Sequence, residues 1–286
     1  MSELEIHQPE SLAEVFARLK AGAPDARPMG GGTALMLMMK AQLYRPSALV
    51  SLAKADQRFR GIEWSPATKS FSIGAMATFD ELDRDANVRA HLPVISQTMI
   101  TLANPRVRNV ATVGGNLGHG DPHLDMPPVW CSLDAQLQLI GPEGGREIPV
   151  TDLFVGYYET TLKPEELIMR LHVKAEPGWR RRYVKVTTRS AHDWPAIGLA
   201  LGVKGGAMAC EDIRIVLSAA IDKPTRLHKA ESALRGKPVD SQTLADCAEA
   251  ALSEVALHSD NRGSADYKAH LLKVHMQRGL HSLAEG

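Results

Sequence analysis

Two glycine-rich segments govern what this 286-residue chain can become. The first, Met29-Gly30-Gly31-Gly32-Thr33-Ala34-Leu35, follows a short strand candidate, Ala26 to Met29. It precedes an apolar run, Ala34 to Met39, whose Leu and Met residues and lack of β-branching favour a buried helix. The second is Ala111-Thr112-Val113-Gly114-Gly115-Asn116-Leu117. Glycines let backbone N–H groups approach an oxyanion with no Cβ in the way, and consecutive amides form an anion nest. A helix N-terminus after Thr33 adds the positive end of its dipole. Two such loops facing each other would hold a pyrophosphate with little formal charge. There is no Gly-x-x-x-x-Gly-Lys-Ser/Thr, and Val113 stands where a Gly-x-Gly-x-x-Gly fingerprint needs its first glycine. Each segment alone reads first as a plain turn; the pair says more than either member.

The charge balance agrees with that reading. Lys plus Arg total 33 and Asp plus Glu total 33, a formal net charge of zero, which argues against an electrostatic nucleic-acid binder or a polybasic membrane-surface protein. A 44% hydrophobic, 23% charged composition suits a globular protein with real cores, and the length suggests about two domains. The first twenty residues carry Glu3, Glu5, Glu10 and Glu14 and no apolar stretch of the kind a secretory signal needs. The longest uncharged stretch, Ala90 to Pro105, holds His91, Pro93, Gln97 and Asn104 and is no membrane span. Cys131, Cys210 and Cys247 are scattered, so neither a disulfide framework nor an iron–sulfur set is expected, and the cytoplasm is the expected compartment.

Along the chain, Ser11 with Glu14 and Thr78 with Glu81 are capping-box candidates, and Gly22 stands where a helix end wants positive φ. Ala48 to Leu52 reads as a strand, Phe59 to Gly74 as a hairpin around Ser65-Pro66-Ala67, and His91 to Leu102 as a helix. Ala135 to Ile140, Leu167 to Val173, Arg182 to Val186, Ile197 to Lys204 and Ile213 to Ser218 read as strands. Leu227, Ala230 and Leu234 share a helix face closed by Gly236, and further helices run over about 241–257 and 264–280. Glu176-Pro177-Gly178 is the best boundary, followed by strands and then helices in an α+β arrangement.

The two glycine segments resemble the Gly-Gly-Thr and Thr-Val-Gly-Gly-Asn motifs of the FAD-binding medium subunits of molybdenum hydroxylases, the xanthine dehydrogenase and aerobic carbon monoxide dehydrogenase family. The resemblance runs nearly end to end. It takes in Ile73-Gly74-Ala75 with Thr78, Asn104-Pro105-Arg106-Val107-Arg108-Asn109, Leu133-Asp134-Ala135, Glu166-Leu167-Ile168, Lys185, Arg189 and Ser264-Ala265-Asp266-Tyr267-Lys268. It implies an α+β fold: a vanillyl-alcohol oxidase (PCMH)-type FAD-binding domain over 1–176, built of α/β subdomains at about 1–57 and 58–176. A smaller α+β C-terminal domain would cover 177–286.

The resemblance also implies roles. Met29 to Leu35 (Met29, Gly30, Gly31, Gly32, Thr33, Ala34, Leu35) and Thr112 to Asn116 (Thr112, Val113, Gly114, Gly115, Asn116) would wrap the FAD pyrophosphate through amides and the Thr33 and Thr112 hydroxyls. Asp125 would accept from ribityl or ribose hydroxyls, Ile168 and Lys185 would line the FAD pocket, and Trp194 would cover a face of the isoalloxazine. The implied partners are a large molybdenum-cofactor subunit and a small subunit with [2Fe–2S] clusters, as a dimer of heterotrimers. This chain would be an oxidoreductase subunit that collects electrons on FAD and passes them onward, with no acid–base catalyst of its own. Ala34 departs from the Asp or Glu common in the family, and the cysteine-rich insertion that holds an extra cluster in some relatives is missing.

Two other readings stand beside it. One is a stand-alone FAD-dependent oxidoreductase of the same fold. The other is a scaffold or metal-binding module on His119-Gly120-Asp121-Pro122-His123-Leu124-Asp125, a segment whose prolines point rather to a solvated loop or polar lining of a flavin site. Met36, Met38 and Met39 read as core packing.

Overall fold

The chain, described over residues 4–285 in a computed structural model, builds three units in succession, each around a main sheet. The first unit is β1 (Glu5–His7), α1 (Leu12–Ala21), β2 (Ala26–Met29), α2 (Thr33–Lys40) and β3 (Ala48–Ser51), with parallel strands in the order β1-β3-β2. Ser11 caps α1, its Oγ accepting from the Glu14 amide at 3.3 Å. The Glu14 carboxylate accepts from the Glu10 amide, one residue before the position a capping box uses. Gly22 ends α1 at φ −99°, not in the left-handed region. It is glycine for space, since a Cβ there would lie 2.6 Å from the Ala26 Cβ. The α2 helix forms as expected but is not buried. No residue of it falls in the core, and Met36 and Leu37 are 54% and 63% exposed.

The second unit contains β4 (Ile62–Ser65), β5 (Ser70–Gly74), α3 (Phe79–Arg84), α4 (Ala86–His91), α5 (Pro93–Met99), α6 (Pro105–Arg108), α7 (Val113–His119) and α8 (Met126–Ser132). After these come β6 (Gln136–Gly141), β7 (Gly144–Pro149), β8 (Phe154–Gly156), β9 (Glu159–Thr160) and β10 (Leu167–Lys174). Its main sheet runs antiparallel in the order β4-β5-β10-β6-β7, and the expected β4–β5 hairpin is present. Phe71, Ile73, Leu137, Leu139, Leu171 and Val173 alternate into one core with Val88, Ile95, Leu117 and Trp130 from the helices. The helix expected over 91–102 is broken at Leu92. Pro93, which has no N–H to place, starts a new helix at its first position.

The third unit is the antiparallel sheet β11 (Trp179–Val186), β12 (Ile197–Gly206), β13 (Ala209–Ser218) and β14 (Thr225–Arg226), packed with α9 (His228–Leu234), α10 (Ser241–Glu254) and α11 (Ala265–Glu285). Leu227, Ala230 and Leu234 are buried as their spacing predicts, and Gly236 lies at φ +77°. The apolar run Ile197 to Val203 is buried on both faces. Ile197, Leu199, Leu201 and Val203 join the helices of this unit, whereas Ala200 and Val216 join the core of the second, against which α8 lies. The sheet is thus shared between two cores.

Candidate functional site

The first glycine segment makes a row of donors. The chain leaves β2 at Met29, turns through Gly30 and Gly31, and enters α2 from Gly32, which sits in the left-handed region at φ +67°, ψ 0° with no side-chain cap. Among the described residues, the amides of Gly30, Gly31, Gly32, Thr33, Ala34 and Leu35 find no backbone or side-chain acceptor; the first bonded amide is that of Met36, to the Gly32 carbonyl at 2.8 Å. Six successive half-buried N–H groups without partners suit an anion, because backbone donors removed from water otherwise find acceptors. Glycine is required here by contact with the second segment. A Cβ on Gly30 would lie 2.5 Å from the Thr112 Oγ1, and one on Gly31 would lie 1.8 Å from the Val110 carbonyl oxygen.

The second segment is not a loop but the first turn of α7, and it supplies no free amide among Val113 to Asn116. Thr112 is the N-cap, its Oγ1 accepting from the Gly115 amide at 3.2 Å. The Val113 and Gly114 amides donate to the Ala77 and Ala75 carbonyls, and that of Asn116 donates to the Thr112 carbonyl. The expectation that both segments offer amides to one pyrophosphate is therefore corrected: the first offers six, and the second braces it. What the second presents is the Asn116 Oδ1, buried and without a partner, beside the bare exposed backbone of Gly115 and Gly118. Ile168, on β10, flanks that backbone; its Cδ1 lies 3.9 Å from where a Gly118 Cβ would stand.

Beyond α7 the chain turns at Gly120 (φ +70°) into 121–125, which is buried and not solvated: Asp121, His123 and Asp125 are 1%, 5% and 7% exposed. Burial pushes the Asp121 carboxyl up, but bonds from the His123 ring and amide and from the Tyr158 hydroxyl outweigh it, leaving the group below its ordinary range. The His123 imidazole is held by Asp121 at 2.9 Å on Nδ1 and faces Asp260 at 3.8 Å on Nε2. Among the described residues no three His, Cys, Asp or Glu side chains are grouped so as to hold a metal ion.

Asp125 and Lys185, 60 residues apart, meet. The Lys185 Nζ lies 2.9 Å from Asp125 Oδ2 and donates also to the Thr101 carbonyl, while the Tyr183 hydroxyl donates to Asp125 Oδ1 at 2.9 Å. Burial raises the Asp125 carboxyl above its ordinary value, and Lys185 and Tyr183 partly offset this. Tyr183 was not singled out from sequence. The available signal was the two-residue period of the strand, which turns Tyr183 and Lys185 to one face. Trp194, 46% exposed, lies flat on the His123 imidazole (centroids 5.8 Å, planes 15° apart), with the Arg262 guanidinium 5.5 Å from its ring. The residues thus fall into three adjoining groups, namely Met29 to Leu35 on Thr112, Asn116 with Ile168, and Asp125 with Lys185 beside the His123–Trp194 stack.

This geometry agrees with what the chain is similar to. The family described as the FAD binding domain in molybdopterin dehydrogenase matches residues 2–174, and the CO dehydrogenase flavoprotein C-terminal domain matches residues 182–283. The carbon monoxide dehydrogenase medium chain of Hydrogenophaga pseudoflava is 31% identical over 281 residues, 97% of this chain and 96% of that one. The xanthine dehydrogenase FAD-binding subunit of Escherichia coli O157:H7 is 28% identical over 94% of this chain and 91% of its own. A solved chain of carbon monoxide dehydrogenase from Hydrogenophaga pseudoflava superposes with a TM-score of 0.92 at 32% identity, over 99% of this chain and 97% of the other. Six unpaired amides braced by a capped helix, in a fold shared end to end with these flavoprotein subunits, place the chain in the family of FAD-binding subunits of molybdopterin dehydrogenases, a class of oxidoreductase.

Proposed function

We propose that this chain is the FAD-carrying electron-transfer subunit of a heterotrimeric molybdenum hydroxylase. In this reading a large partner oxidises substrate at a molybdenum cofactor, a small partner with [2Fe–2S] clusters relays electrons, and this chain delivers them to an external acceptor. We place the assembly, a dimer of such heterotrimers, in the cytoplasm, and divide the chain into a flavin-binding part over 1–176 and a smaller part over 177–286.

The observation that carries the reading is the row of amides from Gly30 to Leu35. A dinucleotide pyrophosphate carries two negative charges, and the neutral chain can answer them with amide dipoles and the N-terminus of α2 in place of lysines. The orphaned Asn116 Oδ1 is suited to accept from a cofactor N–H or hydroxyl, and Asp125 keeps lone pairs beyond those used by Lys185 and Tyr183. Trp194, though stacked on His123 and beneath Arg262, keeps 46% of its surface exposed, aromatic area suited to meet a planar ring. Bound FAD supplies redox chemistry that exchanges electrons singly or in pairs, so the chain's own residues need only bind, orient and shield.

Gel filtration with cofactor analysis tests this. The chain should co-elute with molybdenum- and iron–sulfur-containing chains and carry FAD. A chain that elutes alone and oxidises a substrate unaided would instead be a stand-alone flavin oxidoreductase.

A further inference from the structure

Asp125 is held entirely by residues that come from beyond the flavin-binding part. Asp125 precedes α8 without capping it, and its two polar side-chain partners, Tyr183 and Lys185, both stand on β11. The Tyr183 hydroxyl has a built environment. Its side chain is half-buried against the second unit's core, and the Ser218 hydroxyl, which donates to the Gly198 carbonyl, stands beside it from β13. Gly198, opposite Lys185 in the β11–β12 ladder, leaves the room in which these hydroxyls meet: a Cβ there would lie 2.5 Å from both the Tyr183 Oη and the Ser218 Oγ. A phenol with no function here could be a phenylalanine; this one donates to a buried carboxylate beside space cleared by a glycine.

We infer that Tyr183 is a positioning residue, which in the room left by Gly198 fixes the Asp125 carboxylate as an acceptor for the hydroxyl-bearing chain of the flavin. The inference rests on the proposed function and deepens it, since flavin retention is then set by contact between the two parts of the chain. A hydrogen bond to a charged group is the kind whose loss changes an equilibrium by about tenfold or more. Tyr183 also favours the ionised form of a carboxyl that burial already pushes toward the neutral one. Besides Tyr183, the charged or titratable groups about Asp125 are Lys185 from β11 and, on its own segment, Asp121 and His123; α5 is followed by the Thr101 carbonyl.

The test is FAD affinity of the full chain, purified with the subunits that accompany it, from pH 5.5 to 8 for wild type, Tyr183→Phe and Gly198→Ala. Circular dichroism and thermal melting confirm that each variant is folded. Tyr183→Phe should bind FAD about tenfold more weakly at pH 8. The deficit should widen as pH falls, because a carboxyl that has lost its phenol protonates at higher pH. Gly198→Ala, which displaces the hydroxyl without removing it, should show the same pH-dependent deficit. A folded Tyr183→Phe variant that binds as tightly as wild type, or more weakly by one constant factor at every pH, overturns the positioning role alone. A wild-type protein that binds no FAD at any pH overturns the proposed function itself.

Discussion

Gly31 is the most exacting residue in the site. A Cβ there would stand 1.8 Å from the Val110 carbonyl oxygen, backbone that cannot swing aside. Gly31→Ala should destabilise the protein by about 1–3 kcal/mol by overpacking and lower its FAD content by separating Gly30 from Thr112, as read by thermal melting and flavin fluorescence. The buried pair Asp125–Lys185, 8% and 5% exposed, behaves differently. Removing either charge strands the other, so Asp125→Leu or Lys185→Met alone should each cost about 3–5 kcal/mol. The double variant should lose less than the sum, which a double-mutant cycle in denaturant measures. His119, at the end of α7, has its pKa lowered by burial, with Asp121 opposing. The folded state then binds the proton less readily than the unfolded chain. Stability is full above the ordinary histidine value of about 6.5 and is lost as pH falls from there toward the folded pKa. Denaturant titrations should show that slope, and His119→Gln should flatten it.

Among the elements, α2 stands apart. Its N-terminus carries the unpaired amides, and none of its residues is fully buried, Met36 and Leu37 being more than half exposed. Hydrogen exchange should find the amides of 30–40 fast in flavin-free protein and slowed when FAD binds, while β12 and β13 stay protected in both states. Uniform protection of α2 without flavin would contradict this. The helix was legible in Ala34 to Met39 because propensity is local. Its exposure was not, because burial depends on what lies across from a face. The same limit explains Thr112 to Asn116. Its glycines read as a loop, but Thr112 caps them into α7 while Ala75 and Ala77, more than 30 residues earlier, take the amides. Conversely, the glycine pair, the hairpin at 62–74 and the Leu227–Leu234 face were readable, since each is set by residues a few positions apart.

At the scale of the molecule, the second and third units are joined by charge as well as by the shared sheet. Arg214 on β13 reaches Glu176 at 2.6 Å and Asp134 at 2.7 Å, donates to the Ser132 carbonyl and lies over the Trp179 ring; Arg181 meets the same Glu176 at 2.5 Å. Arg214 is 9% exposed but its acidic partners are a third to two-fifths exposed, so Arg214→Met should cost about 1–3 kcal/mol, less than a fully buried pair. Calorimetry should show one transition for the wild type and two for the variant, in which the units are no longer coupled there. None of these contacts was legible in sequence, because Arg214 lies 38 and 80 residues from Glu176 and Asp134 and arginines in strands are usually solvated. The row of amides from Gly30 to Leu35 is proposed to hold a flavin dinucleotide. The most direct measurement is the FAD content of the protein isolated with its native partners, by absorbance and extraction. One FAD per chain is expected, lowered by Gly31→Ala; a folded protein that carries none, even with molybdenum- and iron–sulfur-containing partners bound, would rule that role out.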